Sequence, residues 1–315
     1  MANELQSNSH LISAPGVNVD ALLKAFLEGR SAVTMRAYRK DLLDFAAFLD
    51  LKTADEAAKA LLQRTPGEAN LLVLQYRTSL MERKLSPATV NRHLSAIRSM
   101  VDLANTFGMI SWHLSVKNLP SQAYRDTKGP GKAGIEALMA AASAQRPEKS
   151  ARDKAILILL YANALRRFEV AALDLEHIDL QQATLSIMGK GRLERETVTL
   201  PRQVVAALEA WIAVRGAAPG PLFPNCDRAR KGKGRLTGNG VFRIVKAMAK
   251  KANIEARPHG LRHTAITMAL DRTKDVRAVQ KFSRHARLET LMRYDDNRCD
   301  LGGIVAQTVA DALVG

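Results

Sequence analysis

A short segment in the first half of the chain, residues 117–132 (KNLPSQAYRDTKGPGK), separates two stretches of different patterning. It contains two prolines and two glycines and shows no apolar periodicity, which is the composition of an inter-domain linker. The chain has 315 residues, enough for two domains of roughly 150 residues each. We therefore predict a flexible N-terminus over 1–19, one domain over 20–118, a linker over 119–132 and a second domain over 133–315.

The first stretch has the periodicity of a helical domain. One amphipathic helix is indicated by apolar residues on a single face: Tyr38, Leu42, Phe45 and Leu49. A second helix is predicted over 71–84, and a third begins at Ser86 and Pro87, an N-cap residue followed by a proline in the first turn. The polar face of this third helix carries Arg92 and Arg98, for which plain solvation and contact with phosphate are both open.

The second stretch mixes helices with a few short strands. Periodicity predicts a helix over 155–173, and two β-rich segments within 178–199, joined by Gly-Lys-Gly, predict a small antiparallel hairpin. Helices resume near Arg202, with an amphipathic helix over 241–252 and a final helix over 304–313. The predicted fold is therefore mostly α, with a helical N-terminal domain and an α+β C-terminal domain that contains a small antiparallel sheet.

Basic residues dominate the charge of the chain and concentrate in its second part. The net charge is +16 and the isoelectric point is near 10.1. Of the 47 lysine and arginine residues, 33 follow Asn118. Such a balance favours a polyanionic partner, with nucleic acid ahead of an anionic membrane surface, and argues against a binder of small cations.

Neither a membrane segment nor a secreted or metal-bound framework is predicted. The longest apolar stretch, residues 155–165, is 11 residues long, short of the ~20 that span a bilayer. The first twenty residues lack the basic and apolar regions of a signal peptide. Cys226 and Cys299 are far apart, without a CxxC pair or histidines at zinc-ligand spacing. We expect a reducing, cytoplasmic setting with free thiols and no metal.

Four short segments carry residues suited to one chemistry. They are ALRRFE with Arg166, GKG with Lys190, HGLRH with His259 and Arg262, and H-x8-Y with His285 and Tyr294. Two guanidinium groups can hold a phosphodiester whose charge grows in the transition state, a role that fits Arg166 and Arg262. A tyrosine with a pKa of ~10 attacks well at neutral pH only where positive charge and a proton acceptor surround it, and His259 and His285 can supply these. The i, i+3 spacing after Pro258 places His259 and Arg262 on one side of a helix.

In this order the segments resemble the tyrosine recombinase family, which includes phage integrases and Xer recombinases. TMRAYRKDLLDFAAFL and LSPATVNRHLSAIRSM look like the SAM-like core-binding domain of that family, and the resemblance covers nearly the whole chain after residue 30. It implies six catalytic residues: Arg166, Lys190, His259, Arg262, His285 and Tyr294. Tyr294 is expected as the nucleophile, and Lys190 as the general acid that protonates the departing 5′ oxygen. Glu169 is expected to be structural and to orient Arg166.

The resemblance implies a site-specific DNA recombinase. Such an enzyme cleaves and rejoins DNA strands through a 3′-phosphotyrosyl intermediate and a four-way junction, in integration, excision, inversion or resolution, for example of a mobile element. It also implies four identical protomers on two specific double-stranded sites, a free monomer, association with the nucleoid, and no cofactor. Two alternatives stay open: a type IB-like topoisomerase, and a catalytically silent DNA-binding regulator on the same scaffold.

The remaining expectations concern DNA contacts and departures from the family pattern. Predicted DNA contacts are Arg92, Arg98, Arg167, Lys231, Lys233, Arg235, Arg243 and Arg287. Ala164 stands where the family usually has glycine, Ser283-Arg284 replaces Leu-Gly, and Asp295-Asp296 follows the tyrosine in place of a basic or small pair. The apolar face of the final helix is expected to dock on a neighbouring protomer.

Overall fold

The structure, a computed structural model, describes residues 18–28, 32–120, 129–189, 194–225, 234–292, 294 and 301–313. The chain forms two compact units, Met1–Gln122 and Ala123–Gly315, and the division falls inside the segment predicted as a linker. Each unit has a hydrophobic core of its own. Among the described residues, no helix is both long enough and apolar enough to traverse a lipid bilayer.

The N-terminal unit is helical in its described part. Its helices are α1 (Val19–Glu28), α2 (Ala32–Phe48), α3 (Ala54–Leu62), α4 (Pro66–Glu82) and α5 (Pro87–Thr106). Thr53 and Thr65 begin α3 and α4 with capping boxes. In each, the threonine side chain accepts from the backbone amide of a glutamate three residues later, and the glutamate side chain accepts from the backbone amide of the threonine. Ser86 caps α5 and Pro87 occupies its first turn, as the sequence predicts. The predicted second helix begins earlier than expected, at Pro66.

Apolar faces of these helices form the core of the N-terminal unit. Leu42 and Phe45 of α2 are fully buried, whereas Tyr38 and Leu49 pack at the margin of the core. Helix α5 contributes four buried side chains at helical spacing: Val90, Leu94, Ile97 and Val101. Burial of each such side chain contributes about 1.5–3 kcal/mol to the free energy of unfolding, so this single face accounts for much of the stability of the helix in the fold.

The C-terminal unit combines helices with one small sheet. Its helices are α6 (Gly131–Ser143), α7 (Pro147–Ala162), α8 (Arg167–Ala171), α9 (Arg202–Arg215), α10 (Gly238–Lys251), α11 (Pro258–Thr273), α12 (Val276–Ser283), α13 (Leu288–Met292) and α14 (Leu301–Asp311). The apolar segment within 155–165 is buried at the centre of this unit, mostly on α7. Helix α11 begins at Pro258 as predicted, and α14 begins three residues before the predicted 304.

The sheet has three antiparallel strands in the order β1 (Ile178–Asp179), β2 (Thr184–Met188) and β3 (Arg195–Thr199). Strands β2 and β3 form the predicted hairpin, with Thr184 opposite Thr199 and Met188 opposite Arg195. Leu185 and Ile187 alternate with more exposed residues and face the core. The two-residue strand β1 is too short for alternation to reveal it.

The continuous helix predicted over 155–173 is wrong, because the chain turns sharply between α7 and α8. Helix α7 ends at Ala162, Ala164 adopts a left-handed conformation with φ of 46°, and Arg166 is extended as the residue before α8. Leu165 and Val170 are both fully buried on either side of this turn. Apolar spacing therefore continues through the break and imitates a single helix.

Candidate active site

Five of the six residues implied by the resemblance lie in the described part of the C-terminal unit. Arg166 immediately precedes α8, and His259 and Arg262 lie at the start of α11. His285 follows α12, and Tyr294 follows α13. The sixth, Lys190, lies outside the described residues. We refer to these five, Arg166, His259, Arg262, His285 and Tyr294, as the candidate cluster.

Arg262 anchors the candidate cluster because the fold binds its guanidinium on two sides. Its Nη1 and Nη2 donate to the main-chain oxygens of Ala164 and Ser283, and the side chain is almost wholly buried. Burial, together with the charges of Arg166 and Arg284, lowers the pKa of Arg262 to about 10. The group therefore remains cationic at neutral pH and places a positive charge in a poorly hydrated site, where it acts strongly.

Hydrogen bonds fix the tautomer of His285. Arg262 Nη2 lies 3.3 Å from His285 Nε2, and because a guanidinium can only donate, Nε2 is the acceptor. The ring proton therefore sits on Nδ1, which is 2.9 Å from the hydroxyl oxygen of Ser283, and that hydroxyl donates to Gln280 O. Burial and the charge of Arg262 lower the pKa of His285 to about 4, in agreement with a neutral ring.

Tyr294 packs among three histidine rings. Its ring centroid lies 4.9 Å from that of His263, 5.1 Å from that of His285 and 6.2 Å from that of His259. The hydroxyl oxygen of Tyr294 is 3.4 Å from His259 Nε2. Desolvation and the charge of Arg262 lower the pKa of His259, so a neutral imidazole that can accept a proton lies beside the phenol.

His263 belongs to this environment, although sequence reasoning did not single it out. It is buried, and its Nδ1 lies 3.3 Å from the hydroxyl oxygen of Thr267. That hydroxyl also donates to the main-chain oxygen of Tyr294 at 3.3 Å. His263 therefore supports the tyrosine from α11 by ring packing and through Thr267. The i, i+4 spacing from His259 on a predicted helix is the signal that indicates such a neighbour.

Arg166 is bound by Glu169. Arg166 Nη1 donates to Glu169 Oε1 at 2.7 Å, and the backbone amide of Arg166 donates to Oε2 at 2.8 Å. The carboxylate side chain is only 3% exposed, whereas that of Arg166 is 32% exposed. The buried carboxylate of Glu169 therefore fixes one side of the Arg166 guanidinium, and the other side remains accessible to a phosphate.

The candidate cluster brings together the groups that phosphoryl transfer to a protein side chain requires. Two guanidinium groups supply positive charge, a phenol supplies a nucleophile, and a neutral imidazole lies within reach of its proton. Across the ranges that the structure describes, no set of three or more His, Cys, Asp and Glu side chains is arranged to hold a metal ion.

Three of the predicted DNA contacts have partners within the protein. Arg92 pairs with the buried carboxylate of Asp41. Arg98 donates to the main-chain oxygen of Val116 at 2.7 Å. Arg235 donates to the main-chain oxygen of Leu173 at 2.9 Å and pairs with Asp174. These guanidinium groups support the fold. The side chains of Arg92 and Arg235 are nevertheless 39% and 38% exposed, so their contact with DNA, like that of Arg98, stays a prediction.

The other predicted contacts differ in placement. Lys231 and Lys233 lie outside the described residues, and Arg243 and Arg287 are exposed. Arg167 is half-buried, with its guanidinium carbon 4.8 Å from the ring centroid of Phe168 and 5.7 Å from that of Phe242. These cation–π contacts with two aromatic rings restrict the guanidinium of Arg167.

The neutral state of His285 predicts a specific dependence of stability on pH. A histidine with a folded pKa of about 4 and an unfolded pKa of ~6.5 takes up its proton more readily when unfolded. As pH falls through this window, the free energy of unfolding should therefore fall, by about 1 kcal/mol per pH unit from this residue. We expect His285→Asn to show a correspondingly shallower fall.

Urea unfolding in a Trp112→Phe background measures this, because the chain has two tryptophans and Trp211 then reports on the C-terminal unit alone. Equal slopes against pH for His285→Asn and its parent would contradict a buried neutral histidine at this position.

Comparisons with known proteins identify the family of this chain. The phage integrase family model matches residues 132–299, and the model of the phage integrase N-terminal SAM-like domain matches residues 23–108. Tyrosine recombinase slr0733 of Synechocystis sp. is 37% identical over 307 residues, covering 95% of this chain and 97% of the relative. A tyrosine recombinase of Synechococcus elongatus is 39% identical, covering 95% and 96%.

Solved structures share the fold at lower identity. The Tn1549 transposon integrase in complex with transposon right-end DNA has a TM-score of 0.67 at 17% identity, covering 95% of this chain and all of the other. The XerH site-specific recombinase bound to its difH substrate has a TM-score of 0.65 at 18% identity, covering 92% and 85%. Given both family models and these relatives, the chain belongs to the phage integrase family of tyrosine recombinases, enzymes of site-specific DNA recombination.

Proposed function

We propose that this protein recombines DNA by cleaving each strand with Tyr294 while Arg166 and Arg262 hold the scissile phosphate. One observation carries this assignment: the Tyr294 hydroxyl lies 3.4 Å from a neutral His259 in the same cluster as the buried Arg262. A tyrosine that served only as a core aromatic would not need a buried cation, Arg262, and two neutral histidines, His259 and His285, around it. The relatives named tyrosine recombinases support the same chemistry.

The proposed cleavage step conserves the phosphodiester linkage. The Tyr294 oxygen attacks phosphorus and forms a new bond to it, while the bond between phosphorus and the 5′ oxygen breaks. The phosphate stays attached to the 3′ end of the cleaved strand and now links it to the tyrosine. The phenol proton passes to His259, and the departing 5′ oxygen receives a proton from Lys190. Attack by a 5′ hydroxyl of the second DNA then reverses these steps and releases the tyrosine, so no external energy source is consumed.

Charge in the candidate cluster favours this step. The two nonbridging oxygens of the phosphate gain negative charge as the nucleophile approaches, and Arg262 remains cationic with a pKa of about 10. Removing one such preorganised donor from an enzyme slows its reaction by about 10²–10³-fold. His285 is neutral and bound to Arg262, so we assign it to positioning that guanidinium near the phosphate.

Double-stranded DNA is the partner, and we propose that all eight predicted basic residues contribute to its binding: Arg92, Arg98, Arg167, Lys231, Lys233, Arg235, Arg243 and Arg287. The net charge of +16 supplies the long-range attraction. Because each neutralised phosphate releases counterions, affinity is expected to fall steeply with salt. The stacked guanidinium of Arg167 lies next to Arg166 in the sequence and fits a contact close to the scissile phosphate.

We also propose that four protomers act on two DNA sites through a four-way junction, at the nucleoid. Helix α14 supports an assembly through its C-terminal end, because Val309 is 62% exposed and Leu313 is 86% exposed. Apolar side chains so placed favour a protein surface over water. Ile304 and Val305, which complete the predicted apolar face, have side chains outside the described set.

A two-site experiment tests the proposed function. DNA crosslinked to Tyr294→Phe in cells is sequenced to find the bound site, and two copies are placed on one supercoiled plasmid. Wild-type protein is expected to join the flanks of the two copies into new combinations, which sequencing of the products detects. Relaxation of supercoils without exchange would indicate a topoisomerase, and binding without cleavage would indicate a silent regulator.

The final helix gives a separate prediction. A chain ending at residue 300 is expected to bind a single site normally and to give no recombinant product, because α14 is proposed to dock on a neighbouring protomer. Binding is measured by titration of labelled DNA, and recombination by the two-site plasmid. A chain ending at Leu313 is the control. Recombination at the wild-type level without α14 would refute the docking role.

A further inference from the structure

Arg284 occupies a backbone position that suits glycine. It follows α12 with φ of 57° and ψ of 39°, the left-handed conformation that ends many helices. An arginine has a steric cost there that glycine avoids. Arg284 stands in the Ser283-Arg284 pair, where this chain departs from the Leu-Gly of the family pattern.

The side chain of Arg284 is turned into the protein. It is only 5% exposed. Its Nη1 donates to the main-chain oxygens of Asn163 and Phe282, each at 3.1 Å. Its Nη2 donates to Ala164 O at 2.9 Å and to Glu169 Oε2 at 3.2 Å. A guanidinium bonded in this way is unavailable to DNA, and its charge is compensated chiefly by one carboxylate.

Glu169 thus serves two arginines with its two oxygens. Oε1 accepts from Arg166 Nη1 at 2.7 Å, and Oε2 accepts from Arg284 Nη2. The carboxylate side chain is 3% exposed, so solvent screens these charges weakly. With Arg284 in place, the Glu169 carboxylate faces three guanidinium groups, those of Arg166, Arg262 and Arg284. Glu196 adds a second, weaker negative influence on Arg284. Without Arg284, the same carboxylate would act mainly on Arg166 and would weaken its attraction for a phosphate.

Arg284 also joins two parts of the candidate cluster. Ala164 O accepts from both Arg284 and Arg262. Both arginines lie about a hundred positions after Ala164 in the sequence. The bonds connect the turn before Arg166 to the loop that carries His285. Movement of either segment therefore breaks bonds to the other.

We propose that Arg284 is a positioning residue for DNA cleavage: it occupies Glu169 and the turn at 163–164, so that Arg166 keeps its charge and orientation for the scissile phosphate. This inference rests on the proposed function, in which Arg166 holds that phosphate. Arg284 itself does not touch the DNA in this role.

The test combines Arg284→Gly with Glu169→Gln. Glycine accepts the left-handed backbone, so the variant removes the guanidinium without adding strain. Single-turnover cleavage of a nicked substrate is measured at saturating protein, with DNA affinity titrated separately. We expect Arg284→Gly to cleave about 10- to 100-fold more slowly with nearly unchanged affinity. Arg284→Lys is expected to lie between it and wild type, since Lys84 and Lys274 already adopt the same backbone conformation in this chain.

Glu169→Gln should change the sign of its effect between the two backgrounds. In wild type it removes an acceptor of Arg166 and slows cleavage, whereas in Arg284→Gly it removes an uncompensated negative charge and speeds cleavage. A merely structural role predicts slower cleavage in both. Arg215→Lys is the control, because Arg215 also donates to main-chain oxygens, those of Gly216, Ala218, Gly220 and Pro221, away from the cluster.

The outcomes separate this inference from the proposed function. If wild type forms no cleaved complex, the proposed function is overturned and the role of Arg284 with it. If wild type cleaves and Arg284→Gly matches its rate, or if Glu169→Gln slows cleavage in both backgrounds, the role of Arg284 alone is overturned. Thermal unfolding of each variant identifies loss of folding, in which case Arg284→Lys with and without Glu169→Gln decides.

Discussion

Replacing Tyr294 by phenylalanine is expected to abolish the covalent protein–DNA complex while DNA binding persists. The change removes one oxygen atom and keeps the ring that packs against His263 and His285. If that oxygen is the nucleophile, cleavage falls by a factor of about 10⁴ or more, since the variant lacks the atom that bonds to phosphorus. Loss of the 3.4 Å contact with His259 is expected to have little effect on stability.

A nicked substrate makes this result measurable. The nick releases a short fragment after cleavage, so the reverse reaction is prevented and the covalent complex accumulates on a denaturing gel. Tyr161→Phe is the matched control, because Tyr161 is a partly buried tyrosine of the same unit whose hydroxyl donates to the sulfur of Met268. A covalent complex formed by Tyr294→Phe would show that another residue is the nucleophile.

Arg262→Lys is expected to have the second largest effect. A lysine has one ammonium group, which cannot donate to Ala164 O and Ser283 O from two separate nitrogens and still present a planar fork to a phosphate. We expect cleavage to slow by about 10³-fold. Loss of buried hydrogen bonds to a charged donor is also expected to lower the free energy of unfolding by about 2 kcal/mol.

Two measurements separate these effects for Arg262→Lys. Thermal unfolding shows whether the variant is folded at the assay temperature, and the cleavage rate at saturating protein shows the catalytic loss. Arg215→Lys provides the comparison for a lysine that replaces an arginine bonded to main-chain oxygens. A folded Arg262→Lys that cleaves at close to the wild-type rate would remove Arg262 from the phosphate-holding pair.

Local signals in the sequence predict several elements correctly. Ser86 and Pro87 mark the start of α5 because an N-cap and a proline satisfy the requirements of a first turn without help from the rest of the fold. The β2–β3 hairpin and the start of α11 at Pro258 follow for the same reason. Each of these elements depends on residues that are close together in the sequence. Local sequence patterns contain that information.

Elements that depend on distant contacts were not predicted. The turn at Ala164 is held by Arg262 and Arg284, whose guanidinium groups come from residues far along the chain. Nothing in ALRRFE indicates that these donors exist, and the apolar spacing through the turn points to an unbroken helix. The sequence likewise does not indicate that the side chain of Arg284 is buried, since arginine is usually a surface residue.

Arginines show the same limit in the N-terminal unit. Arg92 and Arg98 lie on the polar face of α5, where solvent, phosphate and protein are all possible partners by sequence alone. The structure pairs Arg92 with the buried carboxylate of Asp41 in α2. Spacing in the sequence does not show that Asp41 is buried and requires a partner. The members of the candidate cluster span more than a hundred positions, so their spacing does not show that they converge. The family resemblance implied this convergence.

The acceptors that secure Arg262 are main-chain oxygens, and every amino acid carries one. Positions 164 and 283 are places where this protein differs from its family, yet an alanine or a serine offers the same carbonyl as a glycine or a leucine. The two bonds from Arg262 to these oxygens therefore do not depend on the side chains at 164 and 283, provided that the backbone path is kept, although the Ser283 hydroxyl also contacts His285. An engineer who recodes the loops should therefore preserve both their length and Arg284, whose side chain bonds to the turn at 163–164.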